Sequence, residues 1–167
     1  RLVEGSILVV LPGPSGDAAP AVAVPITGRF LLYPAANSAG IRSFKVKELE
    51  FRPVGDPNRY WGHDGEGEYI FSDGSNEPPW QEMGLQVAID RCGLLYFKSG
   101  RVPVPEDSRF PWINIKLAQV DSNTACRFAL QLVAVPWPDM WFSTEVPFTS
   151  GALGRRVSDG DLLSAAG

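Results

Sequence analysis

Apolar and polar positions along the chain follow the pattern of short strands broken by turns. "SILVVL" (6–11) is a continuous apolar run closed by the turn-rich "PGPSGD", and a run of that length bounded by Gly and Pro reads as a strand. "VAVPITGRFLLY" (22–33) is a second, with Pro25 at a bend or an edge because proline cannot donate to a ladder. "IKLAQV" (115–120) and "RFALQLVAV" (127–135) flank the polar "DSNTAC", and Phe128, Leu130, Leu132 and Ala134 alternate onto one face. "LQVAID" (85–90) followed by "GLLYFKSG" (93–100) predicts a hairpin with a tight turn near Asp90–Gly93.

"RSFKVKELEFRPV" (42–54) changes phase. Phe44 and Val46 occupy even positions, then Leu49 and Phe51 odd ones. A one-residue slip flips the buried face, so a β-bulge is expected at Lys47–Glu48, or else two short strands end to end. The best helical pattern is the tail, "VSDGDLLSAAG" (157–167), with Ser158 as N-cap; Gly160 weakens it, and a non-helical end is the alternative. About seven to nine strands with almost no helix argue an antiparallel sandwich or barrel. One domain is expected over 1–167, with irregular arms at about 1–20 and 136–167.

Composition agrees with this reading. The chain has 167 residues, 44% apolar and 20% charged, an ordinary balance for a folded domain. Seventeen glycines and fifteen prolines are scattered as punctuation rather than repeated. A net charge of −4 excludes nucleic-acid binding of the usual basic kind by the chain as a whole. No apolar run is long enough to span a membrane as a helix, and no membrane partner is expected. Arg1 rather than methionine opens the sequence, so an upstream segment is expected. Cys92, Cys126 and the single His63 lack zinc-site spacing. The cysteines read as two small buried thiols, a disulfide between them being the alternative.

The chemistry-bearing stretch is "WGHDGEGEYIFSDGSNEPPW" (61–80), taken as a long connection between strands. Asp64, Glu66 and Glu68 alternate, and Asp73, Asn76 and Glu77 follow. Calcium takes six to eight oxygen ligands, so Asp64, Glu66, Glu68, Asp73 and Glu77 are the candidate metal set; a solvated acidic surface and a cation shared between subunits are the competing readings. His63 with Ser72 or Ser75 is the one imaginable nucleophilic pair, yet no catalytic motif accompanies it and a non-enzyme is expected. Trp61 and Trp80 flank this stretch, and "PWPDMWF" adds Trp137, Met140, Trp141 and Phe142. Aromatics and Met of this kind are enriched in interface cores. They equally suit a sugar-stacking platform, or simply a buried core.

The order "VPITGRFLLYP", "AANSAGI", "RSFKVKELEFRPV" resembles the jelly-roll coat (capsid) proteins of small icosahedral RNA viruses, with Phe44, Val46, Leu49, Phe51 and Pro53 at the pattern positions. The resemblance spans about thirty of the 167 residues. It implies an all-β, jelly-roll-like antiparallel β-sandwich and a structural, self-assembling subunit of a virion. Its partners would be copies of itself, with genome RNA met through residues upstream of this chain. Calcium at the acidic stretch and inward-facing Arg155 and Arg156 would belong to the same picture. The alternative is an extracellular carbohydrate-binding or adhesion β-sandwich module.

Overall fold

The computed structural model describes residues 1–12, 20–55, 59–75, 77–105, 110–120 and 126–136. Their strands are β1 (Ile7–Val10), β2 (Val22–Ser38), β3 (Ile41–Pro53), β4 (Gly62–Ser72), β5 (Trp80–Ile89), β6 (Gly93–Lys98), β7 (Val102–Pro103), β8 (Ile113–Gln119) and β9 (Phe128–Ala134). No helix occurs among the described residues. The expected tail helix and most of the expected C-terminal arm lie outside them.

All pairings are antiparallel, and the sheet closes on itself: β1-β2-β3-β4-β5-β6-β8-β9 and back to β1. The two-residue β7 merely continues along β5 where β6 stops. This corrects the expected jelly-roll sandwich. A jelly roll needs Greek-key crossovers between two sheets, whereas here each strand lies beside its predecessor in an eight-stranded meander barrel. Short connections decide this: β2 turns into β3 through Ala39 and Gly40, and β5 into β6 within three residues. Closing a short loop costs less chain entropy than a long crossover.

Phe44, Val46, Leu49 and Phe51 are all buried, and the bulge falls where the phase change placed it. The β3–β4 register jumps between Val46 and Leu49, and Glu48 takes a left-handed φ of 53°. An extra residue lets both halves of β3 keep their apolar side chains inward. The predicted 85–90/93–100 hairpin also forms, with Ile89 paired to Gly93 and Cys92 N–H donating to Ile89 O at 2.9 Å.

The stretch 61–80, expected as a long connection, is instead mostly strand β4, a correction with a steric reason. Gly62 and Gly65 occupy inward positions, where a Cβ would lie 2.3 Å from the Phe51 ring and 2.6 Å from Leu49 Cβ. Their missing side chains make room for the large residues of β3. Inward side chains fill the barrel, Phe51, Tyr69, Phe97 and Phe128 being the bulkiest; eight strands enclose about the width that side chains can fill. Phe110 stacks on Phe44 at 5.0 Å, and Tyr60 meets Phe128 edge-on at 5.4 Å.

The wall is weakest between β6 and β8, which share only the pairs Phe97–Gln119 and Lys98–Ala118. A disulfide joins Cys92 to Cys126 across this seam, so the cysteines are not the free thiols first expected. Spacing alone could not show it, because the two cysteines are 34 residues apart and become neighbours only when the barrel closes. The first residues, expected within an irregular arm, are stitched into the wall. Leu2 bridges Ala134, and the Ser6 hydroxyl donates to Val133 O at 2.9 Å.

Candidate functional site

With the interior filled, the surface features that remain are on the outside of β2 to β6. Two ranks of side chains cross these strands in register. One runs Tyr33, Lys45, Glu68, Gly84, Lys98. The other runs Leu31, Lys47, Glu66, Gln86, Tyr96, the bulge bringing Lys47 opposite Glu66. Lys47 Nζ lies 2.5 Å from Glu66 Oε2, and Lys45 Nζ 3.4 Å from Glu68 Oε1. The Lys47 hydrogen bond holds the Glu66 carboxyl below the usual carboxylate range. Gly84 leaves a gap in the first rank, where a Cβ would meet only Lys98 Cγ, at 3.9 Å. The gap makes an open groove lined by Lys45, Glu68, Gln86, Tyr96 and Lys98. Tyr33 at the other end is 50% exposed and lines a neighbouring depression with Glu48 and Asp64.

A second feature adjoins the groove. Leu94 and Tyr96 point outward from β6, 48% and 44% exposed, and Val120 beside them is 56% exposed. Val120 N–H donates to Tyr96 O at 2.8 Å, which sets Val120 opposite Tyr96 on the outer face, with Leu94 two residues along the same face. Sequence reading took "GLLYFK" as a strand and stopped there. The signal was that both faces of it are apolar although only Leu95 and Phe97 are needed inside.

The acids of 61–80 do not converge. Asp64 faces His63 Nδ1 at 2.8 Å, Glu66 and Glu68 pair with lysines, and Glu77 accepts from Trp80 Nε1. Asp73 accepts from the amide and hydroxyl of Ser75, which lowers its pKa. On a strand, alternate residues such as Glu66 and Glu68 share a face but stand two residues apart along it, and here a lysine pairs with each on that face. Among the described residues no three His, Cys, Asp or Glu side chains group as a metal site would require.

Nor does His63 meet a serine: its partners are Asp64 and, at 3.6 Å, Asp90, while Ser72 is buried and Ser75 bonds Asp73. Trp80 is buried at 8% exposure with the Arg101 guanidinium 4.2 Å from its ring. Trp61 lies under Arg52 at 4.8 Å and beside His63, its buried Nε1 without a hydrogen-bond partner. Of the four predicted interface tryptophans, the two that are described, Trp61 and Trp80, thus lie against this chain's own arginines. Trp112, singled out by nothing in the sequence, is 54% exposed. Trp137, Met140, Trp141, Phe142, Arg155, Arg156 and Asn76 lie outside the described residues. No family model, no curated protein and no solved structure matches this chain, so the outer face of β2 to β6 stands on its geometry alone.

Proposed function

We propose that this chain is a non-catalytic structural subunit that works by associating with copies of itself. The observation that carries this reading is the contiguous Leu94–Tyr96–Val120 patch on the outside of a barrel whose inside is already filled. Scattered exposed apolar residues need no explanation, but a contiguous patch loses solvation energy until something covers it. A shell subunit of the coat-protein kind is the specific form suggested by the resemblance at 22–54. The Cys92–Cys126 disulfide supports a setting such as a virion or cell surface, where disulfides persist. Calcium is not needed by this reading, because each described acid of 61–80 has a local partner.

The test is the mass of the full chain by light scattering over a range of concentrations, with and without a chelator. A mass rising to multiples of 18.2 kDa, unchanged by the chelator, is expected. A fixed 18.2 kDa species at every concentration would sink the proposal.

The groove over Gly84 favours a second reading, an extracellular module that binds saccharide between Tyr96 and the polar side chains around it. Sugar rings stack on aromatic faces while neighbouring polar groups take the hydroxyls. Gly84→Leu would fill that groove from outside without touching the core. Loss of saccharide binding in this variant, with the monomer mass retained, would favour the module over the subunit.

A further inference from the structure

Glycine inside a strand needs a reason, because it gives up backbone entropy on folding and packs nothing. Three glycines of β4 have one. At Gly62, Gly65 and Gly67, atoms of the neighbouring strands stand where a Cβ would be. Gly84, in the middle of β5, has none. Its φ lies outside the left-handed region, and a Cβ there would meet only Lys98 Cγ, at 3.9 Å. Neither backbone geometry nor crowding asks for glycine at this position. Strands carry such a residue where something outside the fold approaches closely.

The outer positions around Gly84 all carry long side chains. Glu68 on β4 and Lys98 on β6 flank it in register, and Glu82 and Gln86 stand two residues away along β5. Tyr96, opposite Gln86, is exposed. Gly84 is thus the floor of a socket whose two walls, Glu68 and Lys98, are two strand spacings or about 10 Å apart. The walls differ in charge balance. Glu68 has Lys45 at 3.4 Å, Glu66 has Lys47, and Glu82 has Arg101 at 4.0 Å. Among the described residues, Lys98 has no carboxylate within ion-pair distance, and it is the one cation of this groove left uncompensated.

Resting on the groove reading proposed above and not on self-association, we infer that the socket takes a saccharide bearing a carboxylate, a hexuronate unit. Such a ring holds its carboxylate on one edge and two neighbouring hydroxyls on the opposite one. The carboxylate meets the Lys98 ammonium, and the hydroxyls donate to the Glu68 carboxylate. The ring lies over Gly84 against Tyr96, with the Gln86 amide beside it. Charge fixes this orientation, because the reversed ring would set its carboxylate against Glu68. A cationic sugar is repelled by Lys98 and finds Glu68 already paired with Lys45. A neutral one leaves the Lys98 charge without a role. The whole contact is open to water, so the ion pair sharpens selectivity only several-fold and weakens with salt.

Isothermal titration of the full chain tests this, using tetramers of galacturonate, mannuronate and glucuronate, each beside its neutral methyl ester. At least one acid should bind about fivefold more tightly than its ester at low salt, and the difference should shrink at high salt. Amide shifts of Gly84 and Gln86 on adding that acid should place it in the groove. Lys98→Gln should bring acid and ester together. Gly84→Leu should abolish binding of both without lowering the urea midpoint. Esters that bind at Gly84 as tightly as the acids leave the saccharide reading standing and overturn the carboxylate assignment. An acid preference that survives Lys98→Gln overturns it equally. Binding of neither acid nor ester, or shifts that bypass Gly84, overturn the groove as a saccharide site and this inference with it.

Discussion

Glycine at 67 shows how a residue that looks like loop composition holds a strand in place. A Cβ there would lie 2.0 Å from Gly84 O, a backbone atom of the neighbouring strand that cannot rotate away. Gly67→Ala must push β4 and β5 apart and should destabilise the barrel by about 2–3 kcal/mol, the scale of an overpacked core. The urea midpoint against the unaltered chain measures it. Tyr69 carries the pH dependence at this scale. It is 1% exposed, its hydroxyl donating to Gln81 Oε1 at 3.3 Å, and burial raises its pKa well above the ordinary phenol value. The unfolded chain releases that proton near pH 10 while the folded chain keeps it, so the contribution is intact below about pH 10 and lost as pH rises beyond. Stability should fall by up to about 1.4 kcal/mol per pH unit there. Tyr69→Phe should show a correspondingly shallower alkaline slope; equal slopes in urea titrations from pH 9 to 11.5 would disprove the assignment.

Between elements, the barrel's strength is uneven. β2, β3, β4 and β5 are joined by long ladders, whereas β6 and β8 share two residue pairs and depend on the disulfide beside them. Gln119 supports the same corner, its amide donating to Cys126 O at 3.2 Å and accepting from Phe128 N–H at 2.8 Å. Closing a loop of 34 residues removes unfolded-state entropy worth about 3–4 kcal/mol. Replacing both cysteines with alanine should therefore lower unfolding free energy by that amount, with amide exchange at Val120, which donates to Tyr96 O across the seam, accelerating before that of β3 and β4. The bulge at Glu48 was legible because two apolar phases of opposite parity met inside one run. The seam was not, since nothing local in "GLLYFK" or "IKLAQV" says how many residues of each will pair.

At the scale of the whole molecule, the self-association proposed here rests on the outer face of the described barrel, because its interior is filled by side chains. Leu94→Glu with Tyr96→Glu removes the apolar patch without entering the core. It should cut association several-fold while leaving the chemical-denaturation midpoint within the ~0.5 kcal/mol typical of surface changes. Unaltered association in that variant would move the contact elsewhere. The composition of the acidic stretch left a cation site, a solvated acidic surface and a subunit contact open, and strand geometry gives each of its described carboxylates a local partner, Lys45 and Lys47 among them.

The sequence by itself determined the strand content, the inward faces of β3 and β9, the bulge and the β5–β6 hairpin. Each depends on residues a few positions apart, where a period of two and turn chemistry act. Only the tertiary structure decided that the sheet closes as a meander barrel, that Cys92 reaches Cys126 and that arginines cover Trp61 and Trp80. These depend on which distant segments become neighbours. Such pairings are set by the summed fit of whole strands, and no local pattern encodes that sum.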